Sequence, residues 1–514
     1  MSGSNPDGLA QHLVQQTLRQ ILLAPVYDVA VQTSLDPLSR LSNRLGRSVW
    51  LKREDQQPVH SFKLRGAYNK IHSLNEEQAS AGVVAASAGN HAQGVALAAT
   101  AKGIRAVIVM PLTTPDIKVD AVRRHGGEVV LHGDNFDAAY QHAQHLSESE
   151  GLTMVAPFDD AAVIAGQGTV GQELLQQKRD LDAVFVPVGG GGLIAGVAAY
   201  LKALAPHIKV YGVEPEDAAC LQAALEADTP VTLPRVGLFA DGVAVKRIGD
   251  APFELARHCV DGVITVSSDE ICAAVQDIYE DRRAIAEPAG ALALAGLKRY
   301  CADGGEGQQL AAILSGANVN FHSLRYVSER CELGEGKEAV LAVTIPERQG
   351  AFLQFCRLLG RRLITEFNYR LSGRDRANVF VGIRLKSQEE LGQIRAALTE
   401  AGYPHQDLSG DETAKLHVRY MVGGLPPEPL DERLFQVRFP EAPGALERFL
   451  ADLGCRWNIS LFHYRNHGAA AGRVLLGMEV SDGDFAELWA QLCALDMDCE
   501  EVTNSPAYRF FLRG

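Results

Sequence analysis

Two textures of hydrophobic patterning divide the chain. From about Val49 to Ser315 the apolar residues come in short unbroken runs: Gly82-Val-Val-Ala-Ala-Ser87, Ala106-Val-Ile-Val-Met110, Val129-Val-Leu131, Ala183 to Val188, Val210 to Val213, Gly262 to Val266 and Ala311 to Leu314. Helix-length stretches separate them, such as His91 to Lys102, which Gly103 closes. A strand apolar on both sides must be covered on both sides, and strands joined through helices run parallel. The pattern predicts an α/β region of about 300 residues, mostly parallel sheets covered by helices.

The texture changes after the polar stretch Glu332-Leu-Gly-Glu-Gly-Lys-Glu338. Leu341-Ala-Val-Thr-Ile-Pro-Glu-Arg-Gln-Gly-Ala-Phe-Leu-Gln-Phe355 is echoed by Phe435-Gln-Val-Arg-Phe-Pro-Glu-Ala-Pro-Gly-Ala-Leu-Glu-Arg-Phe449. Pro346 and Pro440, Gly350 and Gly444, and Phe355 and Phe449 match at an offset of 94, and Phe367-Asn-Tyr-Arg370 answers Phe462-His-Tyr-Arg465 at 95. Each copy reads strand, Pro-x-x-x-Gly turn, helix, strand. Two copies are too few for a solenoid, so a pair of small α+β sandwiches is expected, joined by Leu408 to Glu432 with its Gly423-Gly424-Leu-Pro426-Pro427 stretch. The expected domains are residues 1–335, 339–411 and 434–505.

Charge and cysteine usage narrow the function classes. Lys+Arg is 49 against Asp+Glu 63 over 514 residues, a net −14, and no Lys/Arg run exceeds two. A general nucleic-acid binder needs a cationic face, so that class is excluded. Nine cysteines without a CxxC argue against a disulfide framework or zinc ribbon and fit a reducing compartment. Met1 to Gly8 lacks the layout of a secretion signal. The uncharged stretch Ala183 to Leu201 contains Pro187 and four glycines, so it reads as strand, loop and helix rather than a membrane span. A cytoplasmic protein is expected, with no membrane partner.

Four segments carry candidate chemistry. Gly189-Gly190-Gly191-Gly192 lies between a strand and the helix from Leu193, where outward N–H groups and the helix dipole favour a phosphate. The loop alone leaves two readings open. Gly190-x-Gly192-x-x-Ala195 with Glu214 after the next strand satisfies a dinucleotide fingerprint, so a nicotinamide-dependent oxidoreductase competes. The Walker lysine is missing, which removes a nucleoside triphosphatase. Lys63, in Ser61-Phe-Lys-Leu-Arg-Gly-Ala67, sits between apolar neighbours that would ease loss of its charge, with Ser61 as a helix cap. Ser87-Ala88-Gly89-Asn90-His91 presents donors suited to a carboxylate at a helix start, or simply a loop capped by Asn90. Ser315-Gly-Ala-Asn318 ends a strand where open α/β sheets hold ligands. Glu287, before Pro288, is explained by helix polarity. His142-Ala-Gln-His145 has ligand-like spacing but no completing acid, so it is read as the wet face of the helix following Asp137 and no metal site is expected.

Together these four segments resemble the fold type II pyridoxal-phosphate enzymes, and most closely the biosynthetic threonine ammonia-lyase (threonine deaminase) family, over nearly the whole chain. The resemblance implies that Lys63 carries pyridoxal phosphate covalently and then serves as base at the substrate α-carbon. Gly189 to Leu193 would hold the phosphate, Asn90 the ring hydroxyl, and Ser87, Ala88, Gly89, Asn90 and His91 the substrate carboxylate. Ser315 would face the pyridine nitrogen. A hydroxyl there makes a moderate electron sink, suited to losing a β-hydroxyl. L-threonine, with L-serine as an alternative, would give 2-oxobutanoate and ammonia, opening isoleucine biosynthesis. The repeats would be two ACT-like regulatory domains binding isoleucine as inhibitor and valine as its opponent, at pockets involving Tyr369 and Tyr464, in a homotetramer. A sensor built from these repeats on a silent enzyme body is the third functional class.

Overall fold

Each apolar run of the first texture is a strand, buried through most of its length except at the sheet edges Glu128–Leu131 and Gly262–Val266, which stay part-exposed. The computed structural model describes residues 6–319, 323–371, 375–416, 418–420, 431–440, 445–453, 456–465, 471–494 and 498–505. They divide into two compact units, with the boundary between Gly334 and Glu335.

The first unit holds two sheets. The smaller has four parallel strands, ordered Glu128–Leu131, Ala106–Met110, Val83–Ala86 and Thr153–Met154. The larger has six, ordered Leu35–Pro37, Ser48–Arg53, Gln309–Leu314, Ala183–Pro187, Lys209–Pro215 and Gly262–Val266. Only Leu35–Pro37 runs antiparallel. Both sides of each sheet are covered. Val83 and Ala85 pack into one core while Val84 and Ala86 face another, and Ala311 and Ile313 face away from Leu310, Ala312 and Leu314. This two-sided burial is why the runs show no polar alternation.

Gly189–Gly192 and Ser315 follow two adjacent strands, Ala183–Pro187 and Gln309–Leu314, at their carboxyl ends. Ser87–His91 likewise follows Val83–Ala86. The polar stretch beginning at Glu332 is not all linker: the helix Ser323–Gly334 runs through it to Gly334. A Cβ at Gly334 would collide with the Asp269 carbonyl, so glycine permits the close approach to the helix Ser268–Arg282.

The second unit repeats one plan twice. Strands Glu338–Pro346, Ile364–Arg370, Arg376–Arg384 and His405–Asp407 with helices Ala351–Leu359 and Gln388–Glu400 form the first copy. Strands Glu432–Pro440, Asn458–Arg465, Ala471–Glu479 and Asp498–Glu501 with helices Ala445–Leu453 and Phe485–Ala494 form the second. Instead of two separate sandwiches, the copies share one eight-stranded antiparallel sheet through Ile364–Arg370 and Asn458–Arg465. Phe367 pairs with Tyr464, Asn368 with His463 and Tyr369 with Phe462. Because Phe367 matches Phe462 and Tyr369 matches Tyr464 in the repeat, this register places a pseudo-two-fold axis at the Asn368–His463 pair. Phe352, Phe367 and Phe462 meet there, with ring centroids 4.8–5.6 Å apart. The expected joining stretch Gly423 to Pro427 and the turn residues 441–444, including Gly444, lie outside the described residues.

Candidate active site

Main-chain pairing assembles the site. Phe62 N donates to Ser315 O at 3.2 Å, Ala317 N donates to His60 O at 2.9 Å, and Ser61 bridges Gly316. The stretch leading into Lys63 therefore lies along the loop after Gln309–Leu314. Ser61 does not cap the helix as expected: its hydroxyl is fully buried and meets no partner. Lys63 opens the helix Lys63–His72, which Arg65 anchors. The Arg65 guanidinium reaches Glu54 at 2.8 Å and Glu173 at 2.6 Å, and Lys52 Nζ meets Glu173 at 2.5 Å, all four side chains fully buried. Charges removed from water persist only when matched and hydrogen-bonded, so this cluster fixes the helix start in one place.

Lys63 Nζ donates to Pro157 O at 3.0 Å and stands 5.2 Å from the Phe62 ring centroid. Burial pushes its pKa down to about 8, while the Glu287 carboxylate opposes the shift. Gly94, on the helix Asn90–Lys102, lets that helix cross the start of Lys63–His72, since a Cβ there would stand 3.2 Å from the Lys63 carbonyl carbon.

Ser87, Ala88 and Gly89 turn from the small sheet into the helix Asn90–Lys102, with Gly89 rather than Asn90 at the cap position. The Asn90 side chain turns across the site, donating to Glu287 Oε1 at 2.6 Å and accepting from Asn318 Nδ2 at 2.7 Å. His91 Nε2 lies 2.8 Å from Val155 O, so that nitrogen carries the hydrogen and Nδ1, buried and without a partner, carries a lone pair. Burial and the neighbouring Lys63 push its pKa down to about 3, so the imidazole is neutral. Ser315 Oγ is buried and donates to Ala289 O at 3.3 Å.

The tetraglycine turn is required twice over. Gly191 has φ +89° and its Cβ would stand 2.9 Å from Ile248 and Pro252; a Cβ on Gly190 would run into the Phe158 ring. Among the described residues, no acceptor meets the N–H groups of Gly189, Gly190 and Gly191. They lie directly before the helix Gly192–Leu204, where the dipole also favours an anion. Three unmet amides, an orphaned Ser61 hydroxyl and a depressed buried lysine fit an aldehyde bearing a phosphate.

The nicotinamide reading fails at Glu214. That carboxylate is fully buried and accepts from Leu221 N at 2.7 Å and Gln222 N at 2.9 Å, capping the helix Cys220–Ala227. It has no face left for a ribose. His145 is exposed as expected, but His142 is half-buried and stacks on His132 at 4.0 Å, since the helix begins at Phe136 and turns it inward. Among the described residues no cluster of histidine, cysteine and acidic side chains has metal-binding geometry, and the described cysteines are free thiols. No described helix is long and apolar enough to cross a membrane.

Sequence reasoning missed Pro157 and Phe158, for which no signal exists in Val155-Ala-Pro-Phe-Asp159. It undervalued Glu287, whose direction toward Asn90 is set only by the tertiary fold.

In the second unit, Tyr369 lines a small, solvent-open cavity with Glu347, Arg348, Phe352, Leu450 and Trp457. Its hydroxyl donates to Glu347, 2.8 and 2.9 Å from the two carboxylate oxygens, and burial pushes the Glu347 pKa up. Tyr464 is buried opposite Phe367, and residues 441–444 of the second copy lie outside the described residues.

Residues 26–316 match the family model described as pyridoxal-phosphate dependent enzyme, and residues 329–418 and 426–512 match that of the C-terminal regulatory domain of threonine dehydratase. Fold and site thus define a pyridoxal-phosphate-dependent lyase of fold type II. The biosynthetic L-threonine dehydratase IlvA of Escherichia coli (strain K12) is 60% identical over 97% of both chains, and the chloroplastic biosynthetic threonine dehydratase of Arabidopsis thaliana 47% over 96% of this chain and 84% of that one. The structure of processed threonine deaminase isoform 2 from Solanum lycopersicum superposes with a TM-score of 0.61 at 49% identity, covering 64% of this chain and 94% of that one. The chain belongs to the biosynthetic threonine dehydratase family.

Proposed function

We propose that residues 1–335 convert L-threonine, and L-serine as an alternative substrate, to the 2-oxo acid and ammonia, and that residues 339–411 and 434–505 make this conversion responsive to branched-chain amino acids. The observation that carries the reading is the buried Lys63 amine, with a pKa near 8, in the same site as three unmet glycine amides. Pyridoxal phosphate, when bound, supplies an electron sink for charge developing at the substrate α-carbon. Gly189, Gly190, Gly191, Gly192 and Leu193 hold its phosphate through main-chain N–H groups at a helix start, and Asn90 Nδ2 donates to its ring hydroxyl. Ser315 Oγ, which donates to the Ala289 carbonyl, would serve the ring nitrogen as a hydroxyl partner that does not give it a full proton.

Lys63 Nζ takes the α-proton. An amine with a lowered pKa is uncharged more of the time near neutrality and acts as a base there. The first-turn amides at Ser87 to His91 orient the substrate carboxylate. The β-hydroxyl leaves as water, the nitrogen leaves as ammonia, and the ketone oxygen comes from water, giving 2-oxobutanoate from threonine.

The cavity at Tyr369 offers the Glu347 carboxylate for an ammonium group and an apolar wall at Phe352 and Leu450, a combination suited to isoleucine or valine. We assign isoleucine as inhibitor and valine as its opponent, in keeping with the relatives' biosynthetic role, and a homotetramer in the cytoplasm as the assembly and location. Measuring 2-oxobutanoate release from threonine, with and without isoleucine, tests the assignment. Turnover inhibited by isoleucine is expected; absence of turnover in the cofactor-loaded protein would overturn it.

A further inference from the structure

Glu287 sits at the cap position of the helix Pro288–Ala302, yet its side chain makes no cap. It is 4% exposed and its Oε1 accepts from Asn90 Nδ2 at 2.6 Å. On the far side of that amide, Asn90 Oδ1 accepts from Asn318 Nδ2, which also donates to Val59 O at 2.8 Å. Asn318 Nδ2, fixed as a donor by the Val59 carbonyl, can meet only an acceptor, so Asn90 turns Oδ1 to it and Nδ2 to Glu287, a single allowed orientation. One hydrogen of Nδ2 is taken by Glu287 and the other stays available to the site. Gly316 is part of the same clamp: a Cβ there would collide with Glu287 Oε1 and stand 3.1 Å from Asn90 Nδ2.

Burial of a carboxylate is costly, and among the described residues this one has no direct cationic partner. The charged groups facing it are Lys63 on the helix Lys63–His72, Asp241 on the turn Asp241–Val243, and Lys118 on the helix Asp116–Arg124. Lys118 is committed to Asp241 at 2.8 Å, so Lys63 is the cation whose charge Glu287 can influence most freely. Burial, helped by Asp241, raises the Glu287 pKa to about 7.

We propose that Glu287 is a positioning residue, which fixes the Asn90 amide for the cofactor ring and, by its charge, favours the protonated form of the nitrogen at position 63. The proposal rests on the reading of Asn90 as the ring-hydroxyl partner. Its test is a double-mutant cycle on the full-length protein, with Glu287→Gln, Asn90→Ala and the pair, and Glu287→Asp as the variant that keeps the charge. Pyridoxal phosphate affinity of the apoprotein is followed by fluorescence quenching. The pH midpoint of the bound cofactor's visible absorbance is followed in parallel, with thermal unfolding reporting on folding.

Glu287→Gln is expected to weaken cofactor affinity roughly tenfold, the cost of exchanging a charge-assisted hydrogen bond for a neutral one. It should also move the absorbance midpoint to lower pH, and Glu287→Asp should recover part of both. In the Asn90→Ala background the same change should alter affinity by less than about twofold, because coupled residues lose their interaction only once. An equal loss in both backgrounds, or an unmoved midpoint, would overturn the proposal. A distinct result, Asn90→Ala binding cofactor like wild type, would overturn the reading of Asn90 and the proposal with it.

Discussion

The amide hydrogen of Phe62 is donated to the carbonyl of Ser315 at 3.2 Å, across more than 250 residues of intervening chain. This bond and its neighbours at Ser61–Gly316 and His60–Ala317 place the lysine segment and the serine loop by backbone alone. Side chains at 63 and 315 are therefore free to be chosen for chemistry, since neither is needed to bring the two segments together.

Lys63→Ala should abolish the cofactor's visible absorbance and reduce threonine turnover by several orders of magnitude. The scaffold bonds at Phe62 and Gly316 remain, so the variant should fold. Spectroscopy of the purified variant and an assay for 2-oxobutanoate check this, and residual deamination near the wild-type rate would remove Lys63 from its role.

The rate at which apoprotein captures pyridoxal phosphate should rise with pH. A depressed lysine reacts through its neutral form, so below a pKa of about 8 the rate should increase close to tenfold per pH unit, then level off above it. Stopped-flow absorbance over pH 6 to 10 measures this. A rate still climbing steeply above about pH 9 would mean that burial does not lower this amine.

Arg65→Met should destabilise the protein by about 3–5 kcal/mol, because Glu54 and Glu173 would lose the guanidinium that both face while fully buried. Denaturant unfolding of the first transition gives the value. A loss below about 1 kcal/mol would show that Lys52 alone satisfies the cluster.

Tyr369→Ala should weaken isoleucine inhibition about tenfold while leaving uninhibited turnover intact, because the hydroxyl that fixes Glu347 is lost. Tyr464→Ala tests the second copy in the same way. Wild-type inhibition in both variants would move the effector elsewhere. Removal of residues from 336 onward should leave a catalytic core that ignores isoleucine altogether.

Much of this was legible from pattern. The apolar runs Ala106 to Met110 and Ala183 to Val188 coincide with strands because two-sided burial leaves a continuous signature. The repeat was visible because Pro346, Gly350 and Phe355 recur at fixed spacing. What stayed hidden is tertiary direction. Ser61 looked like a cap, yet its hydroxyl is buried without a partner while its main chain pairs with the serine loop. Glu287 looked like a helix-dipole partner, yet it reaches a residue 197 positions away. Glu214 matched a ribose acid in spacing, and only the position of Cys220–Ala227 shows its oxygens are spent on that helix. Nothing in the repeat's spacing said that its two copies would fuse into one sheet.

That fusion has a consequence for how the chain survives in a crowded solution. Joining the copies through their long homologous strands consumes what would otherwise be two open borders, and the sheet's outer rims fall to His405–Asp407 and Asp498–Glu501, three and four residues long. Such stubby rims offer stray chains little to zip onto, so duplication here also guards against clumping.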